Sequence, residues 1–561
     1  MTYRTAQSLL AFALAAFAVQ ASGEPDKCRA ATDSMPSSLG ADGWAAVDRP
    51  VSGGCGATPA RVVHVSTRGQ LVDALTRGHV NDAQQKDKKL DHQSKIVYVH
   101  GTIDLNVDDA NAPLSEEHYM RMCNYTAHAT FYGAGGFFEA YKAAYDPNLW
   151  IRQSLDPADN RPPALTGALE EARLCFQRKQ AERVMIDVGS NTSIIGVGAD
   201  ARIKNGGLRI GFMNQNDPSD PENYRAENVV VRNITFSDAF DMFPSWDPKD
   251  SFSITITNSG GCQAVFENDN VGPHKCVFRG GRWNTEYDSV QIMNAEAVWI
   301  DHNSFSDEPR FDTQFPPVFA APFNEATQKV AHHDGHVDVT LLATKVTISN
   351  NHFLRHDKGN LLGGNDIAGL VPGYGPGQID VTFHGNYYQN MIQRMPRVRF
   401  GRVHVYNNVF DMDRRTTAEY RLGDTWATGT AAKLVTENNL FDILNNNLTI
   451  PRIINYASTV ANRDICIDAG FSVAECGTYY SDAGTWITMR TATTSATTLF
   501  DAFNALSNIQ DDSPSNAPLM NAASFWSPDR TYGYVLAPVS TPEERAALRT
   551  RVVNGAGAGK I

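Results

Sequence analysis

The chain runs to 561 residues, with 62 acidic against 49 basic side chains and a formal net charge of −13. That balance excludes a general nucleic-acid binder, which needs a basic footprint. No apolar run is long enough to span a bilayer, and no Pro/Ser linker or low-complexity tract marks a domain boundary.

Residues 1–23 read as a signal peptide. Arg4 gives a positive start, Leu9 to Val19 is apolar throughout, and small residues gather at Ala21 and Gly23. Residues 24–561 are then expected to be secreted as one monomeric folded unit without a membrane partner. The eight cysteines, Cys28, Cys55, Cys123, Cys175, Cys262, Cys276, Cys466 and Cys476, contain no C-x-x-C pair, so zinc and thioredoxin-like readings have no support. Cys262–Cys276 and Cys466–Cys476 are the expected disulfides, because each closes a short loop. Free buried thiols are the alternative.

Two segments, about 106–185 and 306–333, read as insertions between strands. The first holds a predicted helix, "ALEEARLCFQRKQAERV" (168–184), with apolar residues at helical spacing. Short runs rich in Val, Ile, Phe and Tyr recur along the chain and end in Asn-x-aromatic units: Asn303-Ser-Phe305, Asn351-His-Phe353, Asn386-Tyr-Tyr388, Asn408-Val-Phe410 and Asn439-Leu-Phe441. Their intervals of 22 to 48 residues fit turns of a parallel β-helix with loops inserted. Stacked turns would hydrogen-bond Asn to Asn and lay ring on ring. A β-sandwich also accommodates short strands with Asn-rich turns.

"HHDGHVDVT" (332–340) sets Asp334 and Asp338 four apart, an offset that aligns them on one face of a strand or a helix. Neighbouring carboxylates repel unless a cation or a proton lies between them, and hard oxygen ligands without Cys suit calcium. Asp288, in "TEYDSVQI" (285–292), is the third candidate, one strand earlier. A solvated surface pair is the competing interpretation. His332, His333 and His336 do not all share a face with the aspartates, and are read as surface or supporting residues. Asp301 and His302 in "VWIDHNSFSD" (298–307) are adjacent, so on a strand they point oppositely and suit a buried structural role. "QRMPRVRFGRVHVYNN" (393–408) gathers Arg394, Arg397, Arg399 and Arg402. A run of charge is ordinarily a solvated face, unless an anionic partner needs it.

These four stretches, "VWIDHNSFSD", "HDGHVDVT", "FLRHDKGNLLGGND" (353–366) and "QRMPRVRFGRVHVYNN", occur in an order that resembles the pectate lyases of the pectate lyase superfamily. "GWA" (43–45), "VYVHGTIDL" (97–105), "GSNTSIIGVGADARI" (189–203), "FPSWDP" (243–248) and the tail "NGAGAGK" (554–560) extend the resemblance over most of the chain. It implies an all-β, right-handed single-stranded parallel β-helix and calcium-dependent β-elimination of polygalacturonate. By matched position, Asp288, Asp334 and Asp338 would bind Ca2+, and Arg394 would be the catalytic base. Lys358 and Arg399 would hold substrate carboxylates. Arg397 and Arg402 receive no role. Asp301 and His302 belong to a signature regarded as structural. The segment 251–281, which holds Cys262 and Cys276, exceeds the compact members of the family and precedes Asp288, so it is expected to border the cleft.

The chemistry accounts for the residue types. The C5 proton of a galacturonate is poorly acidic beside an existing carboxylate, and preorganised cations stabilise the charge that develops there as the C4 oxygen leaves. The rival readings are a pectin lyase acting on methyl esters without calcium, a polygalacturonase with paired carboxylates, and a non-catalytic β-helix that binds acidic polysaccharide. The three aspartates speak against the first, since a neutral substrate gives calcium nothing to bridge.

Overall fold

A computed structural model describes residues 41–76, 90–145, 165–256, 276–311, 331–369, 375–502, 505, 517, 519–521 and 526–561. The leader, Cys262 and with it the expected Cys262–Cys276 pairing, the tip of the 251–281 segment and most of the 306–333 insertion lie outside the described residues. The chain winds as a parallel β-helix. Its turns stack Met185–Val188, Gly207–Ile210, Val290–Met293, Val337–Thr340, Leu361–Leu362, Arg397–Val398, Trp426–Thr428 and Ile454–Tyr456 into one parallel sheet. Each turn then continues through two further strands, for example Thr344–Ser349 and His352–Lys358, which pair in parallel with the turns on either side.

Alternation explains the stacking. Val290, Ile292, Val337, Val339, Leu362 and Val398 are fully buried and point inward, while the residues between them face out. Every turn buries its apolar face on its neighbours, at roughly 25 cal/mol per Å² removed from water.

The Asn-x-aromatic units form the corners. Asn303, Asn351, Asn386, Asn408 and Asn439 are all buried. Each of the first four donates its main-chain N–H to the side-chain oxygen of the next, at 2.8 to 3.0 Å. Inside this ladder Phe305, Phe353, Tyr388, Phe410 and Phe441 stack with ring centroids 4.4–5.1 Å apart. The residue before each ladder asparagine is left-handed: His302, Asn350, Gly385, Asn407 and Asn438 have φ between 50° and 63°. Asn and Gly tolerate that conformation best, which is why "NN" and "GN" pairs recur in the sequence.

The predicted helix lies where expected, at Ala168–Val184. With Glu116–Met122 and Phe137–Ala144 it forms a satellite aromatic core beside Trp246 and Trp283, closed by a Cys123–Cys175 disulfide that loop length did not suggest. Cys466–Cys476 forms as expected. The 251–281 segment begins and ends in an antiparallel hairpin, Ser245–Ile256 with Cys276–Asn284, whose base enters the chain just before Asp288.

Candidate active site

Asp288 immediately precedes Val290–Met293, and Asp338 sits within Val337–Thr340 opposite Gln291. Asp334 is in the loop leading into that second strand, so the two aspartates of D-x-x-x-D do not share a strand face as expected. The carboxylates of Asp288, Asp334 and Asp338 nevertheless come close enough to repel one another. The Gly335 N–H donates to Asp288 Oδ1 at 2.8 Å, and the Leu361 N–H donates to Asp338 Oδ1 at 2.9 Å. A methyl at Gly335 would lie 2.2 Å from Asp338 Oδ1 and 2.9 Å from Asp288 Oδ1, so only glycine fits between the carboxylates. Lys358, at the end of His352–Lys358, donates to Asp334 Oδ1 at 2.8 Å.

This group is electrostatically incomplete. Burial pushes Asp288 well above the usual carboxylate range, and repulsion from Asp338 and Asp334 adds to the shift. Burial, then Asp334, brings Asp338 up to about 7. The Lys358 ammonium and the charge of Arg394 stand against three carboxylates. A hard divalent cation fits this oxygen-only donor set and relieves the repulsion.

The arginines divide by position. Arg394 follows the strand Tyr387–Gln393 and has φ 62°, so the chain bends there and at Pro396 before Arg397–Val398 begins. The expected bend therefore separates Arg394 from Arg399. Among the described residues the Arg394 side chain makes no hydrogen bond or ion pair; its Nε is buried without a partner, and its charge reaches Asp338. Arg397 alternates with buried Val398 and so faces outward, in register with Leu361 and two turns beyond the turn that carries Asp338. Burial, then Arg399 and Arg394, pushes Arg397 down to about 10. Arg399 donates to Asp366 Oδ2 at 2.7 Å and to the Gly363 carbonyl at 2.8 Å, which occupy two of its five N–H groups. Arg402 does not belong to the site. It forms a two-bond ion pair with Asp380 on another sheet and lies 4.8 Å from the Trp44 ring.

Of the two alternatives for the histidines, burial sets aside the surface one: His332, His333 and His336 are all buried, as supporting residues would be. Asp301 and His302 do meet, at 2.6 Å, because the corner at His302 brings the ring back onto the preceding carboxylate. Burial alone would raise Asp301; the His302 hydrogen bond, with Arg232 and Asn350, holds it below its ordinary value. Asp301 also accepts from Ser349 Oγ and Asn350 Nδ2, so its contacts lie within the corner of the fold. Arg397 and Gly335 are the site residues that sequence reasoning missed. For Arg397 the signal was the two-residue step to Arg399; for Gly335 none existed without knowing that Asp288 comes from the neighbouring turn.

The pectate lyase family model matches residues 251–561. The chain is 33% identical over 402 residues to the pectate lyase of Bacillus subtilis (strain 168), covering 72% of this chain and 75% of that one. It is 30% identical over 301 residues to pectate lyase E of Dickeya dadantii (strain 3937), covering 53% and 61%. Among solved structures, a pectate lyase from Acidovorax avenae subsp. citrulli superimposes with a TM-score of 0.74 at 33% identity, over 94% of this chain and 96% of that one. A pectate lyase bound to a hexasaccharide superimposes at 0.63 and 28% identity, over 93% and 97%. A family match over more than half of the sequence, and one-third identity to a relative across most of both chains, make this protein a member of the pectate lyase family of polysaccharide lyases.

Proposed function

We propose that the chain cleaves (1→4)-α-D-galacturonan, as polygalacturonate, by calcium-dependent β-elimination to 4,5-unsaturated oligogalacturonides. The observation that carries this is the convergence of Asp288, Asp334 and Asp338 about Gly335, one turn from Lys358 and within electrostatic reach of Arg394. Relatives named pectate lyase and pectate trisaccharide-lyase support the substrate class. We also propose export, on the leader-like N-terminus and on the disulfides Cys123–Cys175 and Cys466–Cys476, which persist in oxidising compartments.

The three aspartates would hold Ca2+, which when bound supplies Lewis acidity toward a uronate carboxylate. Lys358 and Arg399 bind substrate carboxylates and keep them oriented; charge-assisted contacts of this kind strengthen as negative charge develops beside them. Arg394 receives the C5 proton. Its guanidinium has no hydrogen-bond or ion-pair partner among the described residues, so no protein contact competes with the substrate for it. Arg397 adds positive potential on the same outward face.

Product analysis tests the reading. Polygalacturonate digested with calcium present is expected to gain ultraviolet absorbance from the C4–C5 double bond, and a chelator is expected to abolish turnover until calcium is restored. Saturated products with new reducing ends would establish hydrolysis instead, and full activity after chelation would remove calcium from the scheme.

A further inference from the structure

Asp334 is held at two ends by one strand. In His352–Lys358 the side chains of His356 and Lys358 are two apart, both buried, and on one face. Lys358 donates to the Asp334 carboxylate at 2.8 Å, and His356 Nε2 donates to the Asp334 main-chain carbonyl. His356 Nδ1 in turn faces both oxygens of Asp307, at 2.8 and 2.9 Å. We propose that His356, oriented by Asp307, is a positioning residue of the calcium cradle: it fixes the main chain at Asp334 so that the carboxylate is presented to the ion. The inference rests on the calcium reading and adds two residues outside the oxygen donor set.

The main-chain bonding of residues 334–336 shows why a side chain is needed there. Toward the preceding turn, the Gly335 N–H donates to Asp288 Oδ1 at 2.8 Å. The carbonyls of Gly335 and His336 accept from the Ser289 and Val290 N–H groups at 3.1 and 2.9 Å. Toward the following turn, the His336 N–H donates to the Gly359 carbonyl at 2.9 Å. Among the described residues no main-chain N–H reaches the Asp334 carbonyl, and His356 fills that gap. An unpaired carbonyl drawn away from water is costly. Without His356 the loop would shift to find another donor, and Asp334 would shift with it.

The ring itself is fixed on three sides. Asp307 is buried just after the strand Ser304–Ser306. Burial alone would raise its carboxyl, but the charges of His356 and then His333 hold it well below the usual carboxylate range, so it stands ionised and accepts from Nδ1. A carboxylate at one nitrogen and a carbonyl at the other make both ring nitrogens donors. His336 stacks on the face of the ring, with centroids 3.9 Å apart and planes 23° from parallel. The links run from the end of one turn, at Asp307, to the end of the next, at His356, and back to the loop that joins the two turns, at Asp334. Outer partners that orient metal ligands in this way typically change metal affinity by about 10–100-fold when removed. A pillar that served the fold alone would lower stability and leave calcium affinity where it was.

The test uses the purified full-length chain and two calcium titrations: binding by calorimetry without substrate, and activation of polygalacturonate cleavage. His356→Ala is expected to raise both midpoints by about tenfold or more, with kcat at saturating calcium within about threefold of wild type. His356→Gln keeps an N–H donor for the Asp334 carbonyl and should recover most of the affinity. Asn386→Ala, in the corner ladder, is the stability control: it should unfold earlier yet bind calcium as the wild type does. Unchanged midpoints in His356→Ala overturn the inference. So does a His356→Gln variant that recovers nothing, or an equal shift in Asn386→Ala. Should His356→Ala fail to fold, Asp307→Asn decides. It loosens the ring, so both midpoints should rise by at least about threefold, and unchanged midpoints overturn the inference. A wild-type chain that is fully active after chelation overturns the calcium reading itself, and this inference with it.

Discussion

Arg394 and Arg397 differ from the other two arginines of the run, because neither side chain has a hydrogen-bond or ion-pair partner among the described residues, and of the two it is Arg394 that stands at the bend with its charge reaching Asp338. Arg402 is tied to Asp380 and Arg399 to Asp366, while Arg397 stands in the outward row near the carboxylates. Lysine at 394 would keep the charge but lose the planar head group and its reach. Arg394→Lys is expected to lower kcat by roughly 10²–10⁴, the range for a displaced general base, with KM nearly unchanged. Steady-state kinetics at saturating calcium, with circular dichroism as the folding check, measures it; near-wild-type kcat would remove Arg394 from that role. Gly335 offers a complementary test, because substitution there deletes no ligand. Its added methyl would lie 2.2 Å from Asp338 Oδ1, so Gly335→Ala should weaken calcium binding by about tenfold or more while leaving the three aspartates in the chain. Calcium titration of activity reads this directly, and an unchanged midpoint would mean that the cradle is not where the ion is held. The sequence made the aspartates visible through their spacing and their resemblance. It could not show Gly335 between Asp288 and Asp338, because that contact exists only once two turns are stacked.

The turn of the solenoid was legible for a different reason: its corners repeat. An asparagine can accept from the turn above and donate to the turn below only if the chain passes the same point each time, so recurrent Asn-x-aromatic units carried the architecture in advance. The helix at 168–184 stands where it was expected, although the face it buries carries Glu170, Arg173, Gln177, Gln180 and Arg183 beside Phe176 and Val184, so apolar spacing is not what seats it. The Cys123–Cys175 pairing was not legible, because those cysteines are 52 residues apart and the packing of two helices brings them together. The ladder itself makes a strong prediction. Asn386 accepts from the Asn351 N–H and Nδ2, and donates to the Ile348 carbonyl and Asn408 Oδ1, at 2.9 to 3.1 Å. Asn386→Ala would strand several buried polar groups at about 1–3 kcal/mol each, for an expected loss of about 3–6 kcal/mol. Asn216→Ala, in an exposed loop, should stay within about 0.5 kcal/mol. Denaturant midpoints of the two variants decide it, and equal midpoints would mean that the corner asparagines contribute little beyond filling space.

At the scale of the whole molecule, a protein with a net charge of −13 is proposed to act on a polyanion. At long range the two repel, so affinity must arise locally, on the outward face of the eight-stranded sheet. Strands there repeat at about 4.8 Å along the solenoid axis. Asp338 leads to Leu361 and then to Arg397 in one row, with Arg399 beside it and Gly363 beneath. A linear uronan laid along that axis would meet the carboxylate cradle at one end and the arginines at the other. Both ends act on the same feature of the substrate, the charge on its carboxylates. Methyl esterification removes that charge and leaves calcium, Lys358 and Arg399 only a neutral ester carbonyl, a weaker ligand and acceptor. A hydrogen bond to a charged group is worth about 1.5–3 kcal/mol, and about 1.4 kcal/mol is a factor of ten. Highly esterified pectin is therefore expected to show kcat/KM at least about tenfold below that of polygalacturonate, and chemical de-esterification of the same sample should restore it. Initial rates at equal galacturonate concentration, with calcium fixed, make the comparison. A faster rate on the ester would mean that the cationic face does not recognise free carboxylates, and the outward row of arginines would need another explanation.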